Sequence, residues 1–304
     1  MNDPLVTVLM PVYNAEKYLH QAINSILNQT FTQFQFIIID DCSTDSSVHI
    51  LRSFNDSRIK FYQNSRNLGI SETLNKGIQL AETELIARMD ADDISLPERL
   101  QVQYDFFKEN KEYALLSTAV QVILSDETLV RVDQFKSRYY YYNLNFICWI
   151  YHPSVMFKRS AVTDVGMYSE QYSEDFDLWW KISRKYKILH LPQVLVKYRI
   201  SDNSLSHVTK KAEYETAQHQ QVIRNIQYYT GTNYRISYDE IECYRHNFDP
   251  LIKRNNVKEI LISLQKLKHI SNCILLKDNI NRDKKAVREA FKHKKGFMLE
   301  VFKN

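Results

Sequence analysis

Asp90, Asp92 and Asp93 place three carboxylates within four residues, directly after the apolar run 85–89. Mutual repulsion makes such a cluster costly unless a cation or hydrogen-bond donors offset it. In extended backbone, residues 90 and 92 point to one side, so both can reach one ligand. One reading is a divalent metal held by few protein oxygens, its octahedron completed by water and substrate phosphates, which suits Mg²⁺ or Mn²⁺. The other is a helix start whose aspartates favour the positive end of the helix dipole. A second acidic pair, Glu174-Asp175, opens the stretch Phe176-Asp177-Leu178-Trp179-Trp180. Carboxylates in a first helical turn again suit the dipole. With Tyr172, Phe176 and Trp179 around it, the pair would also be partly desolvated, the setting of a general base. Tyr and Trp faces suit stacking on sugar rings as well.

The elements that must carry these groups alternate by period. Short apolar runs at 5–10, 34–39, 59–62 and 85–89 read as strands. Between them, helical spacing occupies 15–28, a stretch from Ser43-Thr44-Asp45 to about residue 54, and 71–81. Strand–helix alternation of this kind implies a parallel sheet with helices on both faces, and continuous runs such as Phe36-Ile37-Ile38-Ile39 suit strands covered on both sides. In such sheets ligands sit beyond the carboxyl ends of the strands. Those ends carry Tyr13-Asn14, Asp40-Asp41, residues 64–67 and the 90–93 cluster. Further on, a helix is expected from Pro97 to about Lys108, and residues 110–150 look irregular and include the four tyrosines 139–142. Another helix starts at 174, a strand covers 188–198, and residues 212–304 look helical, with the best pattern at Val257, Ile260, Leu261, Leu264, Leu267, Ile270 and Ile274.

Composition narrows the function classes. The chain has 304 residues, 44% hydrophobic and 25% charged, the mix of a globular protein with a sizeable core. No run approaches the roughly 18 apolar residues of a membrane span, and the start of the chain has no leader-like pattern, so a cytoplasmic location is expected. Four scattered cysteines read as reduced thiols. The five glycines form neither a dinucleotide-binding GxGxxG nor a P-loop, which argues against those two enzyme classes. Residues 1–206 hold 21 basic against 25 acidic side chains, and residues 207–304 hold 19 against 11. The chain is therefore read as a mildly acidic region 1–206 and a basic helical region 207–304 with a different task.

Seven short motifs occur in order: Pro11-Val12-Tyr13-Asn14, Asp40-Asp41-Cys42-Ser43-Thr44-Asp45, Asn67-Leu68-Gly69 with Asn75-Lys76-Gly77, Arg88-Met89-Asp90-Ala91-Asp92-Asp93, Leu96-Pro97-Glu98-Arg99-Leu100, His152-Pro153-Ser154-Val155 and Glu174-Asp175-Phe176-Asp177-Leu178-Trp179. Together they resemble a family 2 glycosyltransferase of the GT-A fold over about residues 4–206. The resemblance implies an α/β, Rossmann-like, mostly parallel sheet with a C-terminal helical extension. It also implies inverting transfer from a nucleotide-diphosphate sugar to a hydroxyl. Carried over by position, Pro11, Tyr13, Asn14 and Asp40 would hold the base and ribose, with Asp40 accepting from the uracil N–H. Arg66, Asn67, Asn75 and Arg88 would line the nucleotide pocket. Asp90 would reach the ribose side and, with Asp92, the metal on the diphosphate; Ala91 between them would lie against the nucleotide. Asp175 would be the base, assisted by Glu174, while His152 and Trp179 would position the sugars.

The sequence departs from the family pattern at two places. Members often carry Tyr-Arg-x-His-x-x-Ser-x-Ser, whereas here Ser201 stands where the histidine would be, and His207 is not at the matching position. Cys42 stands where glycine is common and reads as a small filler. The segments 87–93 and 195–206 are similar to those of bacterial lipooligosaccharide N-acetylglucosaminyl- and galactosyltransferases. That points to UDP-GlcNAc or UDP-Gal as donor and to a lipooligosaccharide, capsule or lipid-linked acceptor. In the basic region, Lys284, Lys285, Arg288, Lys292, Lys294 and Lys295 precede Phe297, Met298, Val301 and Phe302. This helix would either lie on anionic lipid or pack its apolar face on the catalytic region or a twin subunit. No recognition motif supports nucleic-acid binding. Two rival readings are a non-catalytic glycan- or nucleotide-sugar-binding partner with this fold, which intact Asp92 and Asp175 disfavour, and a sugar nucleotidyltransferase, which would want a glycine-rich loop after the first strand.

Overall fold

A computed structural model describes residues 3–200, 210–254 and 256–302. Strands β1 (Val6–Val12), β2 (Phe34–Asp40), β3 (Ile59–Gln63) and β4 (Leu85–Arg88) pair in parallel in the order β3-β2-β1-β4. Every residue of β1 and β2 is buried. Alternate side chains feed two separate cores: Leu9, Ile37 and Ile39 join one, and Val8, Met10, Phe36 and Ile38 the other. Helices α1 (Leu19–Leu27), α2 (Ser47–Ser53) and α3 (Ile70–Leu80) connect the strands. Helix α3 lies so close to β1 that a Cβ on Gly77 would come within 2.2 Å of Leu9 Cδ1. Any larger residue there would force the Leu9 side chain or the helix to shift.

Beyond β4 the sheet becomes mixed. The next elements are β5 (Ile94–Ser95), α4 (Arg99–Glu109), β6 (Tyr113–Ile123), β7 (Leu129–Asp133) and α5 (Tyr140–Asn143). They are followed by β8 (Met156–Lys158), α6 (Arg159–Asp164), α7 (Glu174–Lys185) and β9 (Lys187–Arg199). Antiparallel β8 joins β4 to β6, β6 pairs in parallel with β9, and β5 adds to the far side of β9. Among the described residues the sheet has nine strands. The 110–150 stretch, expected to be irregular, thus contains the long central strand β6.

The C-terminal helices are α8 (Lys211–Thr230), α9 (Tyr238–Tyr244), α10 (Asp249–Lys253), α11 (Val257–Leu276) and α12 (Lys284–Val301). They share one core cluster with the sheet region: Val222, Ile226, Leu267, Ile270, Ile274 and Ala290 lie in the same cluster as Leu9, Ile86 and Phe157. The four tyrosines 139–142 are all buried at this junction. Tyr142 Oη pairs with Ser271 Oγ at 2.9 Å, and Trp180 meets Tyr228 edge-on at 5.2 Å. The tyrosine run is therefore core. Helix α12 turns Ala286, Val287, Ala290 and Met298 inward and leaves Lys284, Lys285, Arg288, Lys292 and Lys295 exposed. Two of its residues depart from the expected faces. Phe297 is exposed, and Lys294 is buried, its ammonium donating to Tyr244 O at 2.6 Å. All four cysteines are free, and no described helix is long and apolar enough to cross a membrane.

Candidate functional site

The chain leaves β4 at Arg88 and turns through residues 90–93 at the carboxyl end of the sheet. Asp90 is ion-paired with the buried Arg88 guanidinium. Asp92 has its carboxyl pushed up to about 6, by burial first and then by the neighbouring Asp90 charge. Asp93 is fully buried; its Oδ1 accepts from the Arg199 N–H at 2.7 Å, and its Oδ2 has no partner. Burial, then Asp92 and Asp90, raise Asp93 as well. Both are raised even though the Arg88 charge beside them lowers each. Among the described residues, however, no group of three or more His, Cys, Asp or Glu side chains is arranged to hold a metal ion. A cation could bind there only with oxygen ligands from elsewhere, so the donor set fits a metal that arrives with a diphosphate.

The second acidic pair sits at the first turn of α7. Two consecutive non-glycine residues in the left-handed region precede it, Tyr172 at φ +54° and Ser173 at φ +85°. Each such residue costs about 1–3 kcal/mol and persists only where the surroundings demand it. The turn brings Glu174 to His152: its Oε1 lies 3.9 Å from His152 Nδ1. Burial and the Arg88 charge hold the His152 imidazole well below its usual range, so it is neutral at pH 7 and this contact is no ion pair. His152 Nε2 meets Tyr168 Oη at 2.7 Å. Burial pushes Asp175 up to about 6, and burial together with Asp175 pushes Glu174 up to about 7. The Arg88 charge lowers both, and the Asp90 charge raises both, which places the two acidic groups in one electrostatic neighbourhood.

Three residues expected at the substrate site are engaged with protein in this geometry. Trp179 is fully buried and stands edge-on to His152 at 5.6 Å, so it buttresses that ring and offers no face to a sugar. Asn75 spends both ends of its amide on the Tyr168 backbone, at 2.7 and 3.0 Å, and holds that loop instead of lining a pocket. Arg88 is buried between the acidic groups and is not open to a nucleotide.

On the nucleotide side, Tyr13 is half exposed and Asn14 is exposed at φ +49°. Asn14 Oδ1 accepts from Thr44 N–H at 2.8 Å, and the Asn14 N–H donates to Ser43 Oγ at 3.0 Å. Asp40 is fully buried, with its oxygens taken by Ser43 N–H and Gln63 Nε2, so it orders the 43–44 turn. Cys42 sits in that turn at φ +64°, which explains why glycine suits the position. Pro11 and Ala91 are buried. Arg66 and Asn67 lie exposed on the loop after β3. Asp41, to which the sequence reading gave no role, ties that loop down by accepting from Asn64 Nδ2, Leu68 N–H and Gly69 N–H, each at 2.8 Å.

Tyr214 was also missed. It comes from α8, its ring lies 5.2 Å from that of Tyr172, and its phenol is raised by burial and then by Glu174, Asp175 and Asp90. Nothing in its local sequence signals the site, because only the fold brings α8 to the start of α7. Ser201 and His207 lie outside the described residues.

Residues 7–166 match the model of Glycosyl transferase family 2. The chain belongs to that family. It is similar to an uncharacterised glycosyltransferase of Haemophilus influenzae, 29% identical across 95% of this chain and 98% of the relative. It is also similar to the O-antigen biosynthesis glycosyltransferase WbnJ of Escherichia coli, 31% identical across 70% of this chain and 86% of WbnJ. Among solved structures, TarS 1–349 of S. aureus in complex with UDP-GlcNAc superposes with a TM-score of 0.59 at 18% identity, over 89% of this chain and 81% of that one. The protein is thus a glycosyltransferase with a mixed α/β sheet of the GT-A type.

Proposed function

We propose that this glycosyltransferase moves a hexose or N-acetylhexosamine, with inversion, from a UDP-sugar to a hydroxyl of a surface-glycan acceptor. The observation that carries the reading is the pairing of two unlike acidic groups in one neighbourhood: a loop of mutually repelling carboxylates at residues 90–93, and a partly buried Asp175 with its carboxyl near 6. Asp175 is ionised above that pH and takes the proton of the acceptor hydroxyl as its oxygen bonds to the anomeric carbon. The bond from that carbon to the diphosphate breaks, and its electron pair leaves with UDP. Attack from the face opposite the departing diphosphate inverts the configuration. Asp92 and Asp90 would hold Mn²⁺ or Mg²⁺, which neutralises charge growing on the departing diphosphate. Tyr13, Asn14 and the exposed Arg66 and Asn67 offer contacts for the nucleoside, on turns ordered by Asp40 and Asp41. Neutral His152 and Glu174 keep the acceptor side fixed.

UDP-GlcNAc and UDP-Gal are the donors to try first; the UDP-GlcNAc bound by TarS and the O-antigen role in the name of WbnJ support this direction. In this reading, region 1–206 binds the donor and performs the transfer, and region 207–304 serves acceptor, oligomer or membrane contacts. The exposed basic residues of α12 suit anionic lipid, and with it a lipid-linked acceptor at the inner face of the cytoplasmic membrane. Flotation with anionic but not neutral vesicles, abolished by Lys284→Glu with Lys285→Glu, checks that contact.

A thermal-shift panel of UDP, GDP, CMP and their sugars, with and without Mn²⁺, tests the function. A ligand of the folded state adds about 2.7 kcal/mol of stability at a hundredfold excess over its dissociation constant. The expected result is a Mn²⁺-dependent shift with UDP and one UDP-sugar. Silence towards all nucleotides would favour the glycan-binding partner.

A further inference from the structure

Two arginines beneath the 88–93 loop make an unusual set of bonds. Arg99, fully buried, donates through Nη2 to the Arg88 carbonyl at 2.7 Å and to the Val155 carbonyl at 3.1 Å, and through Nε to Gln103 Oε1 at 3.1 Å. Arg199, also buried, donates through Nε to the Asp92 carbonyl at 2.8 Å. Its Nη1 reaches the Leu124 and Ser125 carbonyls at 3.2 and 3.0 Å, and its Nη2 reaches Gln21 Oε1 at 2.8 Å. Its guanidinium carbon lies 4.3 Å from the centre of the Tyr18 ring. Among the described residues neither arginine has a carboxylate partner in an ion pair. Arg199 touches Asp93 only through its own backbone N–H.

Burying a guanidinium without a counter-carboxylate is costly, and an apolar residue could fill the same space. What an apolar residue, or a lysine with its single nitrogen, cannot do is grip several carbonyls in one plane. The gripped carbonyls bracket the loop, Arg88 at its entry and Asp92 near its exit. Residues 90, 92 and 93 repel one another, so the loop would otherwise relax by splaying its carboxylates apart. Strand β9 reinforces the exit, because Ile94 and Ser95 pair with Lys197 and Val196 just before Arg199.

We propose that Arg99 and Arg199 form a clamp of two positioning residues that holds the loop backbone so that Asp90 and Asp92 face a diphosphate-bound cation. The proposal rests on the reading of Asp92 as a metal ligand. It also gives a physical reason for two motif arginines, in Leu96-Pro97-Glu98-Arg99-Leu100 and in Tyr198-Arg199, whose guanidiniums bond to backbone carbonyls of this loop and not to its carboxylates.

The test compares wild type, Arg199→Met and Arg199→Lys, full-length, by calorimetric titration with UDP in the presence and absence of Mn²⁺. The quantity read is the factor by which Mn²⁺ tightens UDP binding. Loss of a group that orients a metal ligand costs about 10–100-fold in metal affinity, so that factor should fall at least tenfold in Arg199→Met. Metal-free UDP affinity should hold, and Arg199→Lys should fall between. Should Arg199→Met not fold, Arg199→Lys alone must show the reduced factor. An unchanged factor, or a UDP affinity lost equally with and without Mn²⁺, overturns the clamp. A wild type whose UDP binding ignores Mn²⁺ overturns the metal reading, and the clamp with it.

Discussion

The two acidic sites use the same residue types under opposite surroundings. The 90–93 loop has arginines on three sides: Arg88 paired with Asp90, and Arg99 and Arg199 on its backbone. At the start of α7, Glu174 and Asp175 have a neutral histidine, a strained turn and aromatic rings around them. Burial raises carboxyls in both places and the Arg88 charge acts on both, but the first also has its backbone carbonyls held by Arg99 and Arg199. In the proposed reading, that grip on the backbone, more than the number of acids, separates a cation site from a base.

The sharpest way to break this contrast is a crossed pair of variants. Asp175→Asn should lower kcat by about 10²–10⁴, the usual worth of a general base, and keep Mn²⁺-dependent UDP binding. Asp92→Ala should lose the Mn²⁺ dependence of UDP binding. Steady-state rates and calorimetry on the same preparations check both, and near-normal turnover by Asp175→Asn would sink the base assignment.

A smaller effect sharpens the contrast through stability. The Glu174 carboxyl, ordinarily at 4.5, is raised to about 7 in the folded chain by burial and then by Asp175. Between those values the folded state keeps a proton that the unfolded state releases, so its contribution to stability is present at low pH and lost as pH rises through about 7. Glu174→Gln removes that loss. It should melt a few degrees above wild type at pH 8 and no higher at pH 4.5, in thermal melts without ligand. An equal gain at both pH values would contradict a raised Glu174.

The first strands and helices were legible because β1 and β2 are buried on both faces and α1 shows one apolar stripe. Strand β6 was not, because its Ser117, Thr118 and Gln121 interrupt the apolar pattern. Ser117 bonds to His190, and Thr118 is buried in the sheet. At the site, the Asp90–Arg88 and Glu174–His152 neighbourhood followed the motifs. Two of the expected contact residues show why a motif does not reveal a side chain's partners. Asn75 and Trp179 are polar or aromatic side chains of the types that line pockets, yet their partners, Tyr168 and His152, lie 93 and 27 positions away. Only tertiary structure reveals that these side chains are already spent on protein. Tyr214 illustrates the reverse, a residue from the basic region brought to the catalytic side by α8 packing on α7.

The tyrosine block at 139–142 has a consequence for how the protein is made. A ribosome delivers the first four strands early, but the surface these rings must cover is encoded later, in α8, α11 and α12. The junction at the tyrosines therefore stays uncovered until those helices are made. A chain cut short by a premature stop would expose the tyrosines to chaperones and proteases.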